Sequence, residues 1–315
     1  MAKTSIPTVD LSPFFTKGDE EGKKKAIKII GHACSEYGFF QIVNHGVPVD
    51  LINRALKLSK TFFDYPSEEK LKSSPQPGGP LPAGYSRQPE RSADKNEFLL
   101  MLPPGSSHNV YPSNPPGFRE LLDEIFSYLV KTGSLIESLL NDCLGLPPNF
   151  LKDYNNDRKW DLMSTFRYFP ATDMENTGVG EHKDVNCITF VFEDEVGGLE
   201  VKKDGEWISV APTQGTLVVN VGDIIQVLSN NKFKSASHRV VRQQGRNRHS
   251  YAFFYNLGGD KWVEPLPQFT KAIGEPPRYR GFFYKEYLQL RLRNKTHPPS
   301  RPEDVISLAH YAIPT

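Results

Sequence analysis

Cys187-Ile188-Thr189-Phe190-Val191-Phe192 is the stretch that decides the fold class: an unbroken run of mostly β-branched and aromatic residues, closed by the turn-formers Asp194, Gly197 and Gly198. Runs of the same character recur at Leu199–Lys202, Trp207–Val210, Thr216–Val221, His238–Arg242 and Ser250–Tyr255, so the region from about Met163 to Asn256 reads as short strands in series. Such a series closes into a sandwich or barrel, and the jelly roll, a double-stranded β-helix, is one form of that closure.

Toward the N-terminus the pattern changes. Ile6–Leu11 alternates like a short strand, and a helix carrying Ile27, Ile30, Cys34 and Tyr37 at spacings of three and four follows it. Gly38–Val43 is an apolar β run broken by Asn44-His45-Gly46, with His45 read as fixing that turn. Asp50 then caps a second helix with Leu51, Ala55, Leu58 and Phe62 on one face. Between Ser73 and Tyr111 the residues Pro75, Pro77, Gly78, Gly79, Pro80, Pro82 and Gly84 predict a lid or a mobile loop. Pro116–Leu144 predicts a long helix ended by Gly145 and Pro147-Pro148, and Phe282–Arg293 a final helix showing Phe283, Tyr287, Leu290 and Leu292.

The expectation is therefore a mixed α/β chain, mainly β, with a jelly-roll core flanked by N-terminal helices and a C-terminal helix. Its parts are a mixed α/β region over 1–155 packed on the core, the core itself over 156–265, and a helix and tail over 266–315. Its 38 basic and 37 acidic residues leave no field to gather nucleic acid or an anionic membrane, which favours a small-molecule partner. Cys34, Cys143 and Cys187 stand apart, arguing against a disulfide framework and a thiolate zinc site and for a reducing compartment. With no secretory or membrane-spanning pattern in view, the expectation is a soluble, cytoplasmic monomer.

Chemistry concentrates in His182-Lys183-Asp184, His238 and Arg248-His249-Ser250. Alternate residues of a strand share a face, so His182 and Asp184 point one way and Lys183, read as a solvated charge, the other. With His238 from a distant strand they make two imidazoles and one carboxylate on one face of a metal, the set that leaves positions open on a non-haem Fe(II). Arg248 and Ser250 share a face in the same way, and the planar guanidinium matches a carboxylate. The competing reading for Arg248 is an ion pair with one of the protein's own acids.

These elements, with Ile6–Leu11, Tyr37–Pro48, Phe62-Phe63, Gly198–Val201, Asn220–Asp223, Ser229-Asn230 and His238–Val240, resemble the plant-type 2-oxoglutarate- and Fe(II)-dependent dioxygenase superfamily over nearly the whole chain. The resemblance implies iron on His182, Asp184 and His238, and 2-oxoglutarate chelating that iron while Arg248 and Ser250 hold its far carboxylate. A tyrosine usually assists there; Phe166-Arg167-Tyr168-Phe169-Pro170 occupies its place, so the role passes to Tyr168, or to Phe169 on another alignment, in which case one hydrogen bond is absent.

The family's chemistry is hydroxylation, demethylation or desaturation of a hydrophobic plant metabolite or hormone, consuming O2, releasing succinate and CO2, with ascorbate in support. For substrate the candidates are Phe254, on the inward face with Ser250 and at a stacking position of flavonoid-acting relatives, and Tyr85, Phe98 and Leu100 as a closing lid, with core filling the competing role for Phe98 and Leu100. Three other readings stay open: an oxidase of the same fold that uses no 2-oxoglutarate, a non-catalytic jelly roll that binds small molecules, and a zinc hydrolase on the same three ligands, which leaves Arg248 and Ser250 without a task.

Overall fold

The computed structural model describes residues 5–78, 81–296, 299 and 301–314. Its strands are β1 (Thr8–Asp10), β2 (Phe39–Val43), β3 (Gly84–Arg87), β4 (Asn96–Met101), β5 (Leu162–Tyr168), β6 (Thr177–His182), β7 (Ile188–Glu193), β8 (Leu199–Lys203), β9 (Glu206–Ser209), β10 (Leu217–Val221), β11 (His238–Val241) and β12 (Arg248–Tyr255), with a small pair β13 (Trp262–Val263) and β14 (Phe282–Phe283). They form an eight-stranded sheet in the order β1-β2-β10-β7-β12-β5-β4-β3 and a four-stranded sheet in the order β6-β11-β8-β9. The two make a jelly-roll core.

Strand alternation divides the large sheet into two chemical surfaces. One face carries Phe40 and Ile42, Leu217 and Val219, Phe190 and Phe192, Tyr251 and Phe253, Met163, and Leu99 and Met101, and buries them against helices. Those helices are α1 (Glu20–Glu36), α2 (Val49–Asp64) and α4 (Phe118–Leu144), which offer Ile30 and Ala33, Leu51 and Phe62, and Leu122, Ile125 and Leu129 to the same cluster. The chain's main apolar core thus lies outside the roll. Inside it the opposite parity of each strand is freed for polar and half-buried side chains.

Shorter helices finish the architecture: α3 (Ser67–Leu71), α5 (Phe150–Tyr154), α6 (Asp223–Leu228) and α7 (Tyr284–Thr296). The long helix ends where the sequence requires, because Gly145 adopts φ 69° and its N–H closes on Asp142. Several expectations change. The stretch expected to be a lid or mobile loop instead supplies β3 and β4, edge strands continuous with β5, while its Gly79 and Pro80 lie outside the described residues. Asp50 lies in the first turn of α2 and does not cap it; the cap position is Pro48. Phe283 belongs to β14 and is exposed, and α7 buries Tyr284, Tyr287 and Leu288.

Phe190 is fully buried beside Phe253, with ring centroids 6.2 Å apart. Phe190→Ala is expected to cost about 3–5 kcal/mol of unfolding free energy, read as a shift of the urea midpoint at unchanged slope. A loss below about 1 kcal/mol would show that the helix-facing side is not the main core.

Candidate metal centre

Antiparallel pairing of β6 with β11 sets His182 directly opposite His238, with ring centroids 4.2 Å apart. The strand β6 ends at His182, so Asp184 lies beyond it in the loop, contrary to the expectation of two side chains on one strand. One donor atom from each of His182, Asp184 and His238 lies within 4.8 Å of the others. Each imidazole Nδ1 faces a main-chain carbonyl, Gly180 at 2.9 Å for His182 and Ala236 at 3.2 Å for His238. A carbonyl only accepts, so both Nδ1 atoms carry a proton, and it is Nε2 of each ring that is turned toward Asp184 and available to a metal. Each Nε2 is 3.7 Å from Asp184 Oδ1. Three potential ligand atoms gathered at one spot fit a cation there, with the mixed N/O set suited to Fe(II).

Asp184 is aimed from behind. Its Oδ2 accepts hydrogen bonds from Thr189 Oγ1 at 2.7 Å and Asn220 Nδ2 at 2.8 Å, which leaves Oδ1 to the imidazoles. Burial would push this carboxyl up, but positive charge on the His238 and His182 rings, with the hydrogen bonds from Asn220 and Thr189, outweighs it and holds it down at about 2. The loop backbone is fixed as well: Asp223 N–H donates to the Asp184 carbonyl at 2.8 Å and Arg291 Nη2 to the Lys183 carbonyl at 2.9 Å. Gly222 permits this approach, since a Cβ there would stand 2.1 Å from the Asn186 carbonyl oxygen. Arg291 and the Tyr287 hydroxyl both donate to Asp223 Oδ2, tying α7 to the same loop.

Further along the inward face, Arg248 is 2% exposed and opposite Tyr168 in the register of β12 with β5. Its Nε donates to Glu193 Oε2 at 2.7 Å and its Nη1 to Ser250 Oγ at 3.2 Å. Among the described residues Nη2, though buried, has no hydrogen-bond partner. The guanidinium lies over the Tyr168 ring at 4.7 Å, and the Tyr168 hydroxyl stands against Arg248 and Ser250. Burial raises the pKa of that phenol, so it stays a neutral donor. Phe169 instead packs under Arg87 and Arg167, so the geometry brings Tyr168 into the pocket. The internal ion pair weighed for Arg248 does exist, and it occupies one edge of the fork.

Residues 160–257 match the family model of the 2OG-Fe(II) oxygenase superfamily, and residues 6–114 match that of the non-haem dioxygenase in morphine synthesis N-terminal region. The chain is 34% identical over 307 residues to jasmonate-induced oxygenase 1 of Arabidopsis thaliana, an alignment covering 95% of this chain and 74% of that protein. It is 32% identical over 303 residues to flavonol synthase/flavanone 3-hydroxylase of Matthiola incana, covering 92% and 100%. The chain belongs to the 2OG-Fe(II) oxygenase superfamily. Solved structures agree: JOX2 in complex with 2OG, Fe and JA superposes with a TM-score of 0.84 at 29% identity, covering 99% of this chain and 90% of that one. The dioxygenase for auxin oxidation in rice does so at 0.79 and 27%, covering 98% and 100%. This oxygenase is thus a 2-oxoglutarate-dependent dioxygenase, an oxidoreductase that works with Fe(II).

The oxygenase's inward face continues from the centre into half-buried aromatic and aliphatic side chains. Phe254 stands opposite Leu162 on β5 and Thr189 on β7; Phe98 opposes Phe166, which stacks on Tyr168 at 5.7 Å, and Leu100 opposes Ser164. Tyr85 does not join them. It has the opposite parity, is 4% exposed, and its hydroxyl donates to Glu97 Oε2 at 2.6 Å inside a buried cluster with Lys70 and Arg167. The lid reading is corrected accordingly: Phe98 and Leu100 are wall residues on a strand, and Tyr85 is structural. A cleft of about 670 Å³ opens beside His182, with Asp94 and Gly180 on one side and Arg291, Asn294, Ile306 and Leu308 from the C-terminal segment on the other. No helix among the described residues is long and apolar enough to cross a membrane.

Sequence reading missed Thr189, Asn220, Glu193 and Arg291. Their signal was parity, Thr189 and Glu193 lying an even number of places apart on one run, but the strand order that brings them to Asp184 and Arg248 is not local. Thr189→Val keeps volume and removes one donor to Asp184 Oδ2. Metal affinity is expected to fall roughly 10–100-fold, measured by competitive metal titration, with a modest fall in the thermal midpoint because Asn186 loses the same hydroxyl; unchanged affinity would reject Thr189 as the residue that aims Asp184.

Proposed function

We propose that His182, Asp184 and His238 hold the Fe(II), that Arg248, Ser250 and Tyr168 hold the far carboxylate of 2-oxoglutarate, and that the oxygenase oxidises a hydrophobic small molecule of the plant-metabolite or hormone class. The observation that carries this is the convergence of two imidazole Nε2 atoms and one carboxylate oxygen on one spot, with each Nδ1 engaged by a main-chain carbonyl. The unpartnered Nη2 of a buried arginine supports the second half.

Iron with bound 2-oxoglutarate and O2 supplies oxidation of a substrate C–H bond coupled to release of succinate and CO2. The protein's own residues position and shield. Thr189 and Asn220 keep one Asp184 oxygen occupied so that the other ligates; the Gly180 and Ala236 carbonyls hold Nδ1 of each ring and so turn Nε2 toward the metal position. Arg248, Ser250 and Tyr168 provide donors to a carboxylate, which sets the direction from which the co-substrate reaches the centre. Phe98, Leu100, Phe166 and Phe254 present apolar surface to the substrate and exclude water. Hydroxylation is the proposed outcome, with demethylation or desaturation following from which hydrogen faces the metal. The same reading has the enzyme act as a monomer in the cytoplasm, three free cysteines being in keeping with a reducing compartment.

Anaerobic addition of Fe(II) and then 2-oxoglutarate is expected to give the weak visible charge-transfer band of the chelate, lost in His238→Ala and in Asp184→Ala together with turnover. Arg248→Ala is expected to weaken 2-oxoglutarate binding by at least roughly 30-fold, the equivalent of about 2 kcal/mol for a buried charged hydrogen-bond partner. Iron retained with full turnover in Asp184→Ala would end the ligand assignment.

The wall residues separate by parity. With a substrate found by screening hydrophobic phenolic, indole and oxylipin acids for succinate release, Phe254→Ala is expected to raise KM about tenfold. Tyr85→Phe is expected to leave KM alone and lower stability by about 1 kcal/mol, the worth of one buried hydrogen bond. The reverse pattern would put Tyr85 back in the pocket.

A further inference from the structure

Glu193 and Arg248 are buried side by side, with 4% and 2% of their side chains exposed, and each keeps one polar atom unused: among the described residues Glu193 Oε1 and Arg248 Nη2 have no hydrogen-bond partner. Glu193 stands opposite Ser250 in the register of β7 with β12, so the acid, the guanidinium and the hydroxyl line one pocket. The charged and titratable groups that face Glu193 are Arg248 on β12 and Tyr168 on β5. Asp194, its neighbour in sequence, points the other way and accepts from His249.

A pocket built to take a carboxylate normally offers donors alone. This one offers a donor and an acceptor, and its arginine charge is already balanced. When the far carboxylate of 2-oxoglutarate comes to Nη2, two carboxylates stand on one guanidinium and the buried set carries a net charge of −1. Two like charges sharing a desolvated site do not both stay ionised.

We propose that the oxygenase takes up one proton from solvent as it binds 2-oxoglutarate, and that Glu193 and the far carboxylate of the co-substrate share it. The inference rests on the reading of Arg248 as the co-substrate's anchor. One carboxylate becomes a carboxylic acid whose O–H donates to the other, and the guanidinium then faces a single negative charge. Uptake on binding makes affinity fall as pH rises, by up to tenfold per pH unit for one proton. Glutamine at 193 keeps an acceptor for Nε and brings its own N–H donors, so the requirement disappears.

The test is calorimetric titration of the full-length, Mn(II)-loaded protein with 2-oxoglutarate at pH 7.5, in phosphate and in Tris, where the difference in heat counts protons. Uptake near one per ligand is expected for the wild type, with Kd rising between pH 7 and 9. Glu193→Gln is expected to bind with uptake near zero and a flat Kd, and more tightly than wild type at pH 8.5. Oxalate, which chelates the metal but does not reach Arg248, is expected to bind without uptake. Wild-type binding with no uptake overturns the proposal and leaves the anchor standing, and this measurement decides the matter even if Glu193→Gln does not fold. Uptake undiminished in a folded Glu193→Gln overturns it too. Wild-type affinity persisting in Arg248→Ala overturns the anchor itself.

Discussion

The Asp184 carboxylate is the constraint around which the rest of the oxygenase is arranged. Two imidazole nitrogens and a carboxylate oxygen gathered at one spot need positive charge between them, on the rings or on a metal, and a buried carboxylate carries a desolvation penalty of several kcal/mol. The fold meets this with charge-assisted hydrogen bonds from Thr189 and Asn220, worth about 1.5–3 kcal/mol each. Those donors come from β7 and β10, neighbours in the large sheet, whereas the imidazoles come from β6 and β11 in the small one. The centre therefore exists only where the two sheets face each other, and neither sheet alone can assemble it.

Parity decides which side of that divide a residue serves. On β12, Arg248, Ser250 and Phe254 look inward, while Tyr251 and Phe253 pack against the helices. His-x-Asp, Arg-x-Ser and the four-residue step to Phe254 are local spacings, and a strand's period of two makes them readable from the sequence. Tyr85 shows how narrow the margin is: one position from Gly84, which opposes Leu100, it faces the buried Glu97 cluster instead. Without knowing that β3 and β4 are strands, their parity was invisible, and a Pro- and Gly-rich run looked like a loop. Thr189, Asn220 and Glu193 were hidden for a different reason. Their roles depend on the order β10-β7-β12, a pairing of strands that are not consecutive in the chain.

The C-terminal helix acts on the centre through backbone groups. Arg291 reaches the Lys183 carbonyl with one nitrogen and Asp223 with the other, while Asp223 N–H holds the Asp184 carbonyl. The peptide between His182 and Asp184 is thus clamped from α6 and α7 together, and the same α7 with Ile306 and Leu308 walls the cleft beside His182. A segment that borders the route to the metal also fixes the loop that carries one of its ligands.

The Arg248–Glu193 pair follows a different logic from a stabilising salt bridge. Buried ion pairs often contribute nothing relative to apolar residues of the same volume, because desolvation of both partners cancels their attraction. What the pair does secure is the resting pocket. An arginine 2% exposed and without an acid would be an unpaired buried cation whenever the co-substrate is away, at a cost of several kcal/mol. Glu193 removes that cost through Nε alone, and Ser250 takes Nη1, so the planar fork is held in one orientation with Nη2 left without a hydrogen-bond partner among the described residues. On the proposed reading of Arg248 as the co-substrate's anchor, the arrangement is neutral when empty and over-supplied with negative charge when filled, which makes the balance of charge on this one guanidinium the point where co-substrate binding and solvent protons meet.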